Sequence, residues 1–262
     1  MRQIFHLTLM ILAVTISHRA HAYPKQLTCK STVYEPFVIE DSDGSIRGLD
    51  VDVVREIGRR LGIRIHFAIV PWRRLEERLA DGLEDCVFAY FRTPERLHYA
   101  RYMGIPLHIT RYSLFAKPAL AAKIHDISDL KGMTIGFNQG FQLPQRFAEE
   151  RKEGLFRTVT VREDEQSFRM LNLGRLDMVL TNEDVGRYIS HRLHLDIQPI
   201  NPPLTIRPAY LVLSTKPSFK PLKQQFDRAL WQILVDGTYR KLCQHYLPKC
   251  GTPDVAQAPK TQ

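Results

Sequence analysis

The sequence predicts an α/β protein made of two similar lobes, each with a largely parallel sheet covered by helices. Three observations carry that expectation. Strand and helix patterns alternate through the first hundred residues, and the alternation recurs between positions 133 and 181. The recurrence has a textual echo: Gly82-Leu83-Glu84-Asp85 followed by "CVF" matches Gly174-Arg175-Leu176-Asp177 followed by "MVL". About 240 residues remain once an N-terminal segment is set aside, a length that favours two cores over one.

In chain order, Leu27 to Val33 reads as a strand, and Tyr34-Glu35-Pro36-Phe37 leads through a Gly-rich turn into a helix. Val53, Val54, Ile57 and Leu61 fall on one face of that helix. Ile63 to Val70 is a second strand. A short helix that turns Leu75 and Leu79 inward stops at Gly82, and the run from Phe88 supplies a third strand. In the second unit, Met133 to Phe137 is a strand, Gln142 to Glu150 a helix and Arg157 to Val161 a strand. Phe168 to Leu173 is a helix ended by Gly174, and Met178 to Thr181 is a strand. Pro208 to Ser214 is one more strand. Leu222, Phe226, Leu230, Ile233 and Leu234 then form the apolar stripe of a long helix, and Tyr239 to Tyr246 is a last short one.

The chain's ends bear on where it works. Residues 1–22 carry Arg2, an apolar stretch from Ile4 to Ile16, and Ala20-His21-Ala22 ahead of Tyr23, the pattern of a cleaved secretory signal. That apolar stretch is too short to span a bilayer, and no later segment approaches the ~18 apolar residues a transmembrane helix needs. Removing residues 1–22 leaves 35 basic against 28 acidic residues, a net charge of +7. No Lys/Arg run stands out, which argues against a nucleic-acid partner. Residues 251–262 read as a disordered tail. Export makes an even cysteine count readable as disulfides. Cys29, Cys86, Cys243 and Cys250 permit three pairings, of which Cys29 with Cys86 and Cys243 with Cys250 is the one expected. No CxxC or HxxxH spacing suggests a metal, and no cofactor is expected.

The stretch "FAYFRTPERLHYA" from Phe88 to Ala100 begins as a strand and changes at Arg92 into Thr93, Pro94, Glu95 and Arg96. Thr93 can cap a helix and Pro94 suits its first turn, which would aim unpaired backbone N–H groups past the strand end. Arg96 would add a forked donor matched to a carboxylate. Together these predict an anion clamp, to which Arg92 is a candidate addition.

"YEPF" (34–37), "GLDVDVVREIGRRLG" (48–62), "PW" (71–72), "DGLED" (81–85), "RTPER" (92–96), "DLKGMTIGFNQG" (129–140), "LGRLDMVLTNED" (173–184) and "DGTYRKL" (236–242) occur in an order that resembles the bacterial extracellular solute-binding proteins of the polar amino acid uptake type. The resemblance spans nearly the whole chain after residue 22. It implies a type II periplasmic-binding-protein-like fold: two α/β lobes joined by crossing hinge strands, with a small ligand held in the cleft and passed to a membrane ABC permease. Lobe one would comprise residues 23–112 plus 209–250, and lobe two residues 113–208. Crossovers would fall near Tyr112 to Lys117 and Pro208 to Leu211. A periplasmic monomer is expected.

By the same resemblance Arg96 grips the ligand's carboxylate, and Tyr34 and Trp72 sandwich its apolar part. Tyr90, Phe91 and Phe141 belong to an aromatic group, with Phe88, Phe137 and Tyr210, expected around the cleft mouth. The chain departs from the amino acid binders at Ala89 and Phe91, where small hydroxylated residues are usual, and at Gly140-Phe141-Gln142, where a Gly-Thr-Thr run is usual. Asn182 replaces the acid that holds the ligand's ammonium, with Glu183 or Glu35 as possible substitutes. These departures favour an aromatic or modified organic anion as ligand, with amino acids second. Two alternatives remain open: presentation of a ligand to a membrane sensor, and an enzyme of the cyclohexadienyl dehydratase kind with Glu183 or Glu35 as general acid.

Overall fold

A computed structural model describes residues 24–139, 143–247, 250, 251 and 253. The expected signal segment, Phe141, and all of the 251–262 tail but Gly251 and Pro253 lie outside the described residues.

The first strand, β1 (Gln26–Ser31), leads through Tyr34-Glu35-Pro36-Phe37 to a small hairpin of β2 (Ile39–Glu40) and β3 (Ile46–Arg47) and then to helix α1 (Leu49–Leu61). Gly48 precedes α1 with φ +131°, and a Cβ there would lie 2.3 Å from the Phe37 carbonyl oxygen, so only glycine lets the turn close. Strand β4 (Arg64–Ile69), helix α2 (Trp72–Ala80) and strand β5 (Cys86–Phe91) follow. Leu75 and Leu79 of α2 are fully buried.

The helix expected after Thr93 is instead a single 3₁₀ turn, Glu95–His98. The Arg96 amide reaches the Thr93 hydroxyl at 3.4 Å, but the turn is too short to present a row of free N–H groups, so the backbone half of the anion clamp is absent. The chain leaves the turn at once because β6 (Ala100–Tyr102), a strand the sequence pattern did not announce, pairs along β12 (Thr205–Ser214).

Strand β7 (His108–Ala116) then carries the chain into the second lobe. There follow α3 (Pro118–Ala121), β8 (Thr134–Asn138), α4 (Gln145–Lys152), β9 (Arg157–Val161), α5 (Asp164–Asn172), β10 (Met178–Asn182), α6 (Glu183–Arg192) and β11 (Gln198–Pro199). Pro144 delays α4 to Gln145, because a residue before proline avoids helical geometry. Helix α5 starts four residues ahead of the expected Phe168, since Asp164 and Glu165 favour the first turn electrostatically although apolar periodicity overlooks them. After β12 the chain closes the first lobe with α7 (Lys220–Val235) and α8 (Thr238–Tyr246).

The main sheet runs β4-β1-β5-β12-β7-β10-β8-β9. Each half repeats one plan. In the first, β1 pairs in parallel with β4 and β5, and β12 adds an antiparallel edge to β5. In the second, β8 pairs in parallel with β9 and β10, and β7 adds the antiparallel edge to β10. The two sequence echoes sit at equivalent places, the turns into β5 and β10, where Gly82 and Gly174 have φ +67° and +71°. The halves meet where β7 pairs with β12 from Thr205↔Tyr112 to Ala209↔His108. Each of these strands thus belongs to both halves.

Val53, Val54 and Ile57 of α1 are fully buried in one cluster with Leu222, Phe226 and Leu230 of α7, each contributing about 1.5–3 kcal/mol of apolar burial. Ile135, Leu180, Phe147 and Phe156 form a separate cluster in the second lobe. Cys29 and Cys86, partners across β1 and β5, are joined by a disulfide at 0% exposure, and Cys243 is joined to Cys250. Replacing Cys29 and Cys86 by serine together is expected to cost about 2–4 kcal/mol of unfolding free energy in a denaturant titration. An unchanged midpoint would show that the core holds that strand pair without the bond.

Candidate functional site

A cleft of about 700 Å³ opens between the lobes. Its walls are the residues that follow the carboxyl ends of the parallel strands, where α/β sheets place their ligands. From the first lobe come Thr32, Val33, Tyr34 and Glu35 after β1, Trp72 and Glu76 on α2, Ala89 and Phe91 at the end of β5, and Arg96. The second lobe supplies Asn138 and Gln139 after β8, Arg162 to Glu165 after β9, Thr181 at the end of β10, and Val185, Ile189 and Arg192 on α6. Tyr112 and Arg207, from β7 and β12, form the floor.

Arg96 borders the cleft, yet only 7% of it is exposed. One Nη donates to the Phe91 carbonyl at 3.0 Å and the other to Glu76 Oε1. The guanidinium lies over the Tyr90 ring at 4.3 Å and the Trp72 ring at 5.2 Å. It is therefore not the unopposed positive charge that the sequence suggested. Glu76, one turn along α2 from Trp72, neutralises it, and the sequence reading missed that residue because nothing in "WRRLEERLA" marks one glutamate of an exposed-looking helix as facing the cleft.

Among the other expected site residues, Tyr34, Trp72 and Phe91 also border the cleft. Tyr90 does not. It is fully buried behind Arg96, its hydroxyl 3.4 Å from Glu76 Oε1, and burial pushes its pKa well above the usual tyrosine range. Arg92 is turned from the cleft to lie 5.1 Å over the rings of Tyr102 and Tyr210. Asn182 is fully buried; its Oδ1 accepts from the Asp184 amide and caps α6, and its Nδ2 donates to the Tyr34 hydroxyl at 3.0 Å. Glu183 accepts from Ser113 Oγ at 2.7 Å and stands off the cleft wall. Phe141 lies outside the described residues. Of the remaining aromatic group, Phe88, Phe137 and Tyr210 are core, at 5% exposure or less, because their strand positions face the helices.

Electrostatically the wall is mixed. Five carboxylates (Glu35, Glu76, Glu163, Asp164, Glu165) face four guanidinium groups (Arg96, Arg162, Arg192, Arg207). Burial, ahead of a nearby tyrosine, holds the Tyr34 hydroxyl far above the usual range, and burial likewise raises Tyr112. Burial raises the Asp164 carboxyl also, partly offset by hydrogen bonding from Thr181 and Asn138. Behind the floor, His108 of β7 is stacked on Phe37 at 3.8 Å, with Nδ1 2.9 Å from Asp50 of α1 and Nε2 3.0 Å from Thr110. This contact ties the strand pair to the first lobe.

Among the described residues, two polar side-chain contacts stand out as bridging the cleft. The Tyr34–Asn182 hydrogen bond is one. The other is Arg192 of α6, which reaches Glu35 of the first lobe at 2.7 Å while its second Nη holds Glu165 of its own lobe.

A cleft closed between two hinged α/β lobes, with its polar groups at the strand ends, defines a solute-binding protein of the two-lobe clamp class. Residues 28–249 match the bacterial extracellular solute-binding proteins, family 3, and the chain belongs to that family. ABC transporter arginine-binding protein 1 of Escherichia coli (strain K12) is 24% identical over 249 residues, covering 93% of this chain and 99% of that protein. An ancestral arginine-binding protein bound to arginine is 22% identical in its solved structure, with a TM-score of 0.70, and the match covers 85% of this chain and 98% of that one. A histidine kinase sensor domain with similarity to periplasmic binding proteins has a TM-score of 0.70 at 18% identity, covering 87% and 96%. Among the described residues, no helix is long and apolar enough to cross a membrane.

Arg192→Ala removes the ion pair that spans the cleft and is expected to shift the unliganded protein toward an open form. Small-angle scattering would register this as a larger radius of gyration; identical curves for variant and parent would show that Arg192 does not hold the lobes together.

Proposed function

We propose that the protein is exported to the periplasm by cleavage after Ala22, closes its two lobes on a small amino acid-like solute through that solute's carboxylate, and delivers it to a membrane ABC transporter. The observation that carries this reading is Arg96 at the cleft wall, two of its five N–H donors taken by Phe91 and Glu76 among the described residues and its guanidinium braced by Tyr90 and Trp72. A guanidinium held in this way meets a carboxylate with little further loss of side-chain freedom. Tyr34 and Trp72 border the same space with aromatic faces for the apolar part of the solute.

The mixed wall bears on ligand class. With Glu76 already beside Arg96 and four more carboxylates lining the cleft, a bare organic anion would meet at least as much repulsion as attraction. An amino acid-like solute, with charges of both signs, suits the wall better. Both acids named for the enzymatic alternative are engaged: Glu183 accepts from Ser113 off the cleft wall, and Glu35 is paired with Arg192. Presentation to a membrane sensor would use the same closed cleft, and neighbouring permease and ATPase genes, as against a kinase gene, separate the two roles.

Mass spectrometry of small molecules released from the purified protein, followed by calorimetry with the released compound, tests the reading. A carboxylate is expected, and Arg96→Ala should weaken it about a hundredfold, the loss of about 3 kcal/mol in charge-assisted hydrogen bonding. A ligand without a carboxylate, or an Arg96→Ala variant that binds as the parent does, would end the proposal.

A further inference from the structure

The position that the resemblance assigns to the ligand's ammonium is closed in this chain. Asn182 has no exposed surface, and both ends of its amide are engaged, one by the Asp184 amide and one by the Tyr34 hydroxyl. A carboxylate nevertheless reaches the cleft from the same lobe. Asp164, the first residue of α5, borders the cleft between Asn138 and Thr181, which border it as well.

The partners of the five wall carboxylates set Asp164 apart. Glu76 is paired with Arg96, and Glu35 and Glu165 are both paired with Arg192. Glu163 is exposed to solvent. Asp164 borders the cleft with Thr181, Asn138, Tyr34 and Tyr112 and has no ion pair among the described residues, and burial raises its carboxyl. A first-turn acid also stabilises its helix, but Glu163 and Glu165 flank Asp164 and can serve that purpose. A partly buried carboxylate that faces the cleft without an ion-pair partner among the described residues is a group whose desolvation a visiting cation would relieve.

We propose that Asp164 is the counter-ion for a protonated amine or guanidinium of the captured solute, replacing the acid that Asn182 displaced. This rests on the reading of the cleft as a carboxylate-capturing site and specifies the other end of the solute: it carries a positive charge held by the second lobe while Arg96 holds its negative charge from the first. Closure then joins the lobes through the ligand.

The test is calorimetry on the full exported chain with the twenty L-amino acids, agmatine and 3-phenylpropanoate as probes. At least one probe with a protonated nitrogen should bind, and Asp164→Asn should weaken it about a hundredfold, with Asp164→Glu recovering part of the loss. Parent affinity should fall as pH drops through the raised Asp164 pKa, because protonation removes the charge, and the Asp164→Asn profile should be flatter. If that substitution prevents folding, the parent pH profile decides, and amine-probe affinity that does not fall as the pH is lowered through the range in which Asp164 protonates overturns the inference. Binding of an amine probe that changes by less than about threefold in Asp164→Asn overturns it while leaving the carboxylate reading intact. Binding of 3-phenylpropanoate alone does the same. If no carboxylate probe binds, or Arg96→Ala is without effect, the cleft reading itself falls and takes this inference with it.

Discussion

The antiparallel pairing of β7 with β12 is the constraint on which the rest of the molecule depends. Each strand leaves one half of the sheet and enters the other, so the two lobes are joined through the paired residues from His108 to Tyr112 and from Thr205 to Ala209. Because each half repeats the same parallel plan, joining them through these edge strands brings the carboxyl ends of both parallel sets to one cleft. The buried Asp50–His108–Thr110 contact anchors the crossing to the first lobe.

Charge pairing decides what that cleft can accept. Arg96, nearly buried on aromatic rings, would be costly without a partner, and Glu76 supplies one. The same pairing weakens the site for a solute that brings only negative charge. Arg192 plays a comparable part across the gap, where its two carboxylate partners belong to different lobes. These Arg192 ion pairs are partly exposed and individually weak.

Much of the fold was legible in the sequence. Alternating buried positions in β1, the α1 stripe of Val53, Val54 and Ile57, and the matched glycine turns at Gly82 and Gly174 are local patterns that each element's own burial imposes. Illegible elements were those whose existence depends on a distant partner. β6 is three residues long and exists because β12 runs beside it. The helix suggested by Thr93-Pro94-Glu95 became one 3₁₀ turn because that pairing begins at Ala100. At the site, Arg96, Tyr34, Trp72 and Phe91 were picked out and do border the cleft, whereas Tyr90, Arg92, Asn182 and Glu183 were picked out and do not.

By itself the sequence determined a doubled α/β plan and the chemical types gathered at the strand ends, since these follow from periodicity and local composition. Only the tertiary structure decided which charges confront each other. Glu76 reaches Arg96 from twenty positions away and Glu35 reaches Arg192 from 157. Asp164 borders the cleft without an ion pair among the described residues. Electrostatic energy depends on distance in space and on the water excluded between groups, and neither quantity is carried by position along the chain.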